Sequence, residues 1–271
     1  MPPSPGGYPP RGMGDSMKST GASRRDVLKM AAVGLLVLAA SVGGQERARV
    51  LYVTHPAAFV HAVLPVAEEV MRELGGGADT FDVTVIDDAS LITPEQLAAH
   101  DVVMFNTTGE LPMSAAQKAA LLGFIRGGGG FVGVHSASDT FYEWPEYGEM
   151  LGGYFDGHPW HQEVVVRVED RDHPATRHLG ASRPLYDEIY QVRDWSRDDV
   201  HVLVSLDTSS VDMSANGINR TDSDFALSWT RSFGNGRVFY TALGHEPDLW
   251  RDEGFRQHLV GGIRWAAGLD D

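Results

Sequence analysis

Short apolar runs alternate with segments of helical periodicity along the first half of the globular chain. The apolar runs predict buried strands at 49–54, 82–87, 101–105 and 131–134. Between them, apolar residues recur at helical spacing in 59–74 and 114–126, and Thr93-Pro94-Glu95-Gln96 is typical of a helix start. This alternation predicts an α/β fold, in which a parallel sheet carries helices on both faces.

The second half of the chain has a looser pattern. Strands are predicted at 162–169, 185–192 and 201–206, with a hairpin over 225–243 around Gly234-Asn235-Gly236. A final helix over 253–268 is predicted to bury Phe255, Leu259, Ile263 and Trp265. The segment 140–155 is interpreted as a short helix with an active-site loop. No internal repeat is apparent, so we predict one domain over 49–268.

The most informative stretch is Gly127 to Asp139, where four glycines end a helix and a buried strand follows. His135 falls where that strand should stop. In open α/β sheets, ligands bind beyond the carboxyl ends of the strands, and a nucleophile elbow occupies this kind of corner. The alternative, a strand-end histidine satisfied by ordinary hydrogen bonds, is equally compatible with this segment alone.

Three further polar motifs lie at predicted loop positions. His158 and His161 are spaced to chelate a metal if helical, Asp187 and Glu188 are adjacent carboxylates, and His245 follows the strand 237–243. Imidazoles and a carboxylate suit a divalent metal such as zinc, and the candidate ligands are His135, His158, Glu188 and His245. Each residue alone is more typical of a hydrogen-bonding surface group; their shared placement at strand ends favours a joint site.

Other residues near these motifs are candidate substrate contacts. They are His55, Ser136, Asp139, Trp160 and Asp187. Trp160, like Trp144 and Trp195, is predicted to lie in a loop, where its ring would either stack on a sugar or pack structurally.

Composition excludes several functions. The 271 residues carry a formal charge of −15 and no cysteine. The negative field disfavours nucleic acid and anionic membrane surfaces. The absence of cysteine excludes disulfides, thiolate metal sites and a cysteine nucleophile.

The first 44 residues have the composition of a targeting segment. Residues 1–22 are rich in proline, glycine and serine and are predicted to be disordered. Arg24 and Arg25 then precede a weakly apolar run over 30–44, which is short for a membrane span. Segment 23–44 resembles a twin-arginine signal, with Val27 in place of the usual phenylalanine. We therefore expect export to the periplasm or beyond, with cleavage and no stable membrane insertion; an uncleaved anchor is the alternative.

Five ordered motifs together resemble the ThuA-like family, named for trehalose utilisation. They are the stretches 129–136, 157–159, 187–190, 234–245 and 262–268. The resemblance implies a flavodoxin-like, doubly wound, mainly parallel sheet similar to class I glutamine amidotransferases, with an antiparallel C-terminal hairpin. Those enzymes have a cysteine at the elbow, where this chain has His135, so thiol-dependent amide hydrolysis is excluded.

The resemblance also implies a role in carbohydrate catabolism. We expect an exported protein that processes a disaccharide, glycoside or keto-sugar as a lyase, hydrolase or isomerase. His135, Glu188 and His245 are its candidate catalytic residues, with a divalent metal and no nucleotide cofactor. A non-catalytic sugar-binding module and a metal-dependent hydrolase of a non-sugar substrate are the alternatives. The oligomeric state is left open.

Replacing Arg24 and Arg25 together by lysine should leave the protein in the cytoplasm, because the twin-arginine signal depends on the arginine pair. Cell fractionation measures this directly. Continued export of the double variant would contradict the assignment of the signal.

Overall fold

A computed structural model describes residues 47–77 and 81–271 of the protein. The predicted disordered segment, twin-arginine signal and cleavage site lie outside these residues. Within the described part of the chain, no helix has both the length and the apolar character needed to cross a membrane.

The described strands are numbered β1 to β11 along the chain, and five of them form a parallel half-sheet. These are β1 (Ala48–Val53), β2 (Phe81–Ile86), β3 (Val102–Phe105), β4 (Gly130–Val134) and β11 (Gly236–Thr241). Their spatial order is β2-β1-β3-β4-β11, with parallel pairing throughout. This is the strand order of flavodoxin-like, doubly wound folds. The predicted α/β fold is confirmed.

The same sheet continues beyond β11 with antiparallel strands. They are β10 (Ala226–Phe233), β9 (His201–Leu206), β6 (Trp160–Val168) and β7 (Ser182–Ile189), in that order to the far edge. The predicted C-terminal hairpin is confirmed as β10 and β11. A separate antiparallel pair consists of β5 (Tyr154–Phe155) and β8 (Val192–Arg193).

Helices connect and cover these strands. They are α1 (Leu64–Gly75), α2 (Pro94–Ala98), α3 (Ala115–Arg126), α4 (Pro145–Leu151), α5 (Pro247–Arg251) and α6 (Glu253–Ala266). Ser114 and Gln117 form the capping box that begins α3, and Thr93 caps α2. The sequence prediction started α1 too early. Pro65 stands in the first turn of α1, as is usual at a helix start, and the preceding residues form a loop.

Helix α6 packs closely against the parallel half of the sheet. Phe255, Leu259 and Ile263 are buried as predicted. At Gly130 a Cβ atom would lie 2.5 Å from the Ala266 carbonyl oxygen, so this strand position requires glycine. Trp265 is only partly buried, which corrects the prediction, and the Arg237 guanidinium lies 5.3 Å from its ring centroid.

His258 of α6 is a buried neutral group within this packing. Its Nδ1 lies 2.8 Å from the Ala175 carbonyl oxygen, and its Nε2 has no partner in the described residues. Burial lowers the His258 pKa from 6.5 to about 4. Protonation would therefore leave an N–H buried without an acceptor.

Replacing His258 by glutamine should flatten the pH dependence of stability. Because the unfolded chain binds a proton more readily than the fold, His258 costs stability as pH falls from 6.5 towards 4. Each pKa unit corresponds to about 1.4 kcal/mol, so the loss approaches roughly 3 kcal/mol at pH 4. Denaturant unfolding across this pH range measures it. His100→Gln, at a partly exposed histidine whose Nδ1 lies 2.7 Å from the Gln96 carbonyl oxygen, is the control; equal slopes in both variants would contradict the assignment.

Candidate functional site

The carboxyl ends of the parallel strands place the candidate residues at one edge of the sheet. His135 follows β4, and Gly244 and His245 follow the adjacent parallel strand β11. Asn106 follows β3 and accepts a hydrogen bond from the Ser136 hydroxyl at 3.2 Å. The parallel sheet therefore brings loops that are far apart in sequence to one place.

The backbone of His135 is strained. Its φ is +46°, in a region that non-glycine residues rarely occupy. The Tyr240 hydroxyl donates to the His135 carbonyl oxygen at 2.8 Å and holds this corner. Such strain costs about 1–3 kcal/mol and concentrates at functional sites.

The His135 ring is held in a single orientation within the core. It is fully buried, and its Nδ1 lies 2.7 Å from the Ala242 carbonyl oxygen. Since a carbonyl only accepts, Nδ1 carries the proton and donates, which leaves Nε2 of the neutral ring with a free lone pair. That Nε2 lies 3.2 Å from Nδ1 of His245 and 3.5 Å from Oε2 of Glu188.

Four side chains converge on this point. Glu188 Oε2 lies 3.2 Å from Nδ1 of His245. His61 joins them, and one ligand atom from each of His61, His135, Glu188 and His245 lies within 4.8 Å of the other three. Three imidazoles and one carboxylate therefore share a volume that a single ion would fill.

His61 escaped the sequence analysis because it fell within the range predicted for α1. The structure places it in the loop between β1 and α1, with 5% of its surface exposed. Its ring meets those of His135 and His245 edge to face, at centroid distances of 5.1 and 5.4 Å. Burial, and then these two neighbouring imidazoles, lower the His61 pKa to about 3. Pro65 was the available signal, since it predicts a later helix start and leaves His61 in a loop that follows a parallel strand.

Glu188 and His245 form the charged part of the cluster. Burial by itself would raise the Glu188 pKa, but the neighbouring imidazoles of His135 and His245 outweigh it and hold the pKa far below its usual range. The hydrogen bond to Glu188 raises the pKa of His245, against the opposing effect of burial. Glu188 is thus ionised at neutral pH.

Asp187 fixes the loop that carries His245. Its Oδ2 accepts the backbone N–H of Gly244 at 2.7 Å, and its Oδ1 accepts those of His245 and Glu246 at 3.0 Å each. Gly244 has a φ of +121°, where a side chain would be strained. Burial raises the Asp187 pKa, and the hydrogen bonds from the Gly244 and Glu246 N–H groups act in the opposite direction.

A cavity of about 200 Å³ opens directly over the cluster. It is lined by Phe59, His61, Asp139, Phe155, His158, Glu188, Tyr190 and His245. A larger cavity of about 400 Å³ lies beside α6, and its lining includes Arg177, Arg256, Glu253 and Asp270. The smaller cavity is the candidate site, because the imidazole cluster forms part of its wall.

Comparison with known proteins agrees with this architecture. The model of the ThuA family, described as trehalose utilisation, matches residues 49–266. The chain belongs to the ThuA family. No match was found among curated proteins.

Solved structures show the same ThuA fold. A ThuA-like protein from Bacteroides uniformis is 29% identical, with a TM-score of 0.70 over 84% of this chain and 94% of that one. One from Parabacteroides merdae is 20% identical, with a TM-score of 0.66 over 82% and 90% of the two chains. A cytoplasmic protein of Salmonella typhimurium is 12% identical, with a TM-score of 0.56 over 80% and 98%. The latter two likenesses concern the fold alone.

The structure of the ThuA domain separates the two histidines predicted to chelate together. His158 lies in a loop, half exposed, with its Nδ1 3.4 Å from Oε1 of Glu188, and it is outside the four-residue cluster. His161 lies on β6, and its Nε2 lies 2.7 Å from Oε1 of Glu246. The i, i+3 chelation by one helix is therefore wrong, because the chain becomes a strand at Trp160.

The predicted substrate contacts divide into cavity and scaffold positions. Asp139 lines the cavity, with burial raising its pKa. Ser136 and Asp187 are buried and hold the surrounding loops. His55 lies outside the cavity lining, and its Nδ1 accepts the Ala89 backbone N–H at 3.1 Å.

Stacking of a sugar on Trp160 is excluded by its packing. The ring is 3% exposed, meets Phe225 edge to face at 5.1 Å, and donates from Nε1 to the Asp212 carbonyl oxygen at 3.0 Å. Trp160 begins a strand of the sheet, so both its ring and its N–H serve the core.

Replacing Asp187 by asparagine should destabilise the domain by about 1.5–3 kcal/mol, the range for hydrogen bonds to a charged group. In the variant, the amide NH₂ would face a backbone N–H group that in the wild type donates to a carboxylate oxygen. Denaturant unfolding measures the change. Asp212→Asn is the matched control, because this exposed aspartate accepts from the Ser214 N–H in a turn that asparagine also suits. Equal stabilities for the two variants would contradict the anchoring role.

Proposed function

We propose that this ThuA-family protein is an exported, metal-dependent enzyme that processes a disaccharide, glycoside or keto-sugar. The observation that carries the proposal is the convergence of His61, His135, Glu188 and His245 beside a cavity at the carboxyl edge of the sheet. The family's association with trehalose utilisation supports the substrate class. The twin-arginine-like segment supports export.

The burial of the cluster supports a function other than stability. Polar groups are costly to remove from water, and apolar residues would pack at this position more cheaply. His61 is the clearest example. Only 5% of its surface is exposed, and no hydrogen bond in the described chain involves its ring. A cation shared by the four side chains would compensate for this desolvation.

The donor set indicates the kind of ion. Three imidazoles and one carboxylate suit Zn²⁺ or a similar first-row divalent ion, whereas Mg²⁺ and Ca²⁺ prefer oxygen ligands. The hydrogen bond from His135 Nδ1 to the Ala242 carbonyl oxygen is the contact that commonly orients a metal-binding histidine. The ligand set that we propose therefore contains His61 in place of His158.

Two cavity groups outside this set are available for proton transfer. Asp139 has its Oδ1 hydrogen-bonded by the Tyr142 hydroxyl at 2.7 Å, and burial raises its pKa towards the working range of a general base. His158, which also lines the cavity, is the second group. A bound divalent ion would polarise a substrate carbonyl. Removal of a proton beside the carbonyl of a keto-sugar would then fall to Asp139 or His158.

One observation favours a second candidate, a non-catalytic sugar-binding module. Glu188 and His245 already satisfy each other at 3.2 Å, and Glu188 also faces His135. A cluster of this kind could hold sugar hydroxyls through hydrogen bonds without any ion. A metal-dependent hydrolase of a non-sugar substrate is a third candidate, and turnover of keto-glycosides separates it from the first.

The purified protein, supplemented with zinc and then dialysed, should retain about one ion per chain by elemental analysis. His61→Ala and His135→Ala should each weaken retention by at least about tenfold, because even changes around metal ligands cost about 10–100-fold in affinity.

His158→Ala is the discriminating variant and should keep the ion, because His158 lies outside the four-residue cluster. Its loss of the ion, with retention in His61→Ala, would restore the ligand set expected from the sequence. Negligible metal in the wild type after supplementation with zinc, manganese, cobalt and nickel would overturn the metal centre and leave sugar binding.

A further inference from the structure

The walls of the cavity differ in character from its floor. Glu188, His61 and His245 are polar groups at the cluster, whereas Phe59, Phe155 and Tyr190 present aromatic surface. The buried Tyr190 ring backs Phe155 at a centroid distance of 4.3 Å, so the accessible part of this apolar wall is formed mainly by Phe155. A ligand that fits this cavity needs an apolar face together with polar edges.

Phe59 stands where the cavity meets solvent. Its side chain is 62% exposed, although it is a large apolar group. Its ring meets His61 edge to face at 4.8 Å, and its carbonyl oxygen accepts the Thr108 hydroxyl at 2.7 Å. The loop is further tied by the Ala57 N–H, which donates to the Thr108 carbonyl oxygen at 2.8 Å. Phe59 is therefore an exposed aromatic ring on an anchored loop, and it lines the cavity.

The size of the cavity limits its occupant. At about 200 Å³ it is smaller than the roughly 300–1,000 Å³ of sites that enclose drug-sized ligands. One six-membered sugar ring matches this scale, and a disaccharide exceeds it. The second unit of a glycoside would therefore extend to the mouth, where Phe59 lies.

Asp139 supplies a polar anchor between the floor and the mouth. The Tyr142 hydroxyl donates to its Oδ1, whereas Oδ2 has no hydrogen-bond partner in the described residues. A carboxylate oxygen without a protein donor beside an aromatic wall is suited to accept from a sugar hydroxyl.

We propose, building on the function above, that the cavity encloses one terminal ring of a glycoside against Phe155, whose ring is backed by Tyr190, and that Phe59 contacts the unit that follows it. The Phe155 ring lies along the apolar C–H face of a pyranose, and Asp139 binds hydroxyls at its edge. The site then recognises the terminal unit of a glycoside, and the cavity has no room for an internal unit of a longer saccharide. Phe59 is a specificity-determining residue in this arrangement, and it belongs to the loop that also carries His61.

Calorimetric titration with glucose and with trehalose tests this arrangement in the full chain. Wild type should bind trehalose more tightly than glucose. Phe59→Ala should weaken trehalose about tenfold, equivalent to about 1.4 kcal/mol, and change glucose binding little. Phe155→Ala should weaken both sugars. Val60→Ala is the matched control, because Val60 is 67% exposed beside Phe59 but does not line the cavity.

The outcomes separate this inference from the metal centre. Equal losses of trehalose binding in Phe59→Ala and Val60→Ala would overturn the role of Phe59. Failure of the wild type to bind either sugar would overturn the subsite, even if the protein holds its ion. Sugar binding that depends on Phe59 in a protein without metal would uphold the subsite and reject the metal-dependent enzyme.

Discussion

The candidate site depends above all on the carboxylate of Asp187. This residue lies on β7, at the far edge of the sheet from β2, and it accepts three backbone N–H groups from the loop that follows β11. Besides the β10–β11 pairing, this contact links the antiparallel extension to the loop at the carboxyl end of the parallel half-sheet. Since Glu188 is the next residue, the same contact delivers its carboxylate to the imidazoles of the parallel half.

The second constraint is the corner at His135. The His135 backbone lies in the left-handed region, and its Nδ1 is hydrogen-bonded to the Ala242 carbonyl oxygen. Together these fix the orientation of the ring and of Nε2. In this orientation Nε2 points to Glu188 and His245. The surrounding imidazoles then divide by environment: burial and its neighbours keep His61 neutral, whereas Glu188 favours a proton on His245. A ligating imidazole must be neutral, so a cation would have to displace the proton that Glu188 favours on His245, whereas His61 is already neutral.

The metal centre and the aromatic cavity are two ideas that rest on different residues. The first depends on the polar groups His61, His135, Glu188 and His245, and the second on the aromatic rings of Phe59 and Phe155. Their meeting in one cavity of about 200 Å³ is what makes a carbohydrate reaction the preferred function. A sugar combines an apolar ring face with polar edges, and the cavity offers both kinds of surface.

The sequence by itself determined the local elements and part of the site. Apolar runs and capping residues identified the strands of the large sheet and most helices, but not the short pair β5 and β8. The end of β4 marked His135. These signals arise from neighbours along the chain. The tertiary structure decided the rest. His61 became a cluster member because the loop after β1 reaches the ends of β4 and β11. Trp160 joined the core, and His158 was separated from His161, because a strand begins at Trp160. Convergence and burial depend on contacts between distant segments, and no local pattern records them.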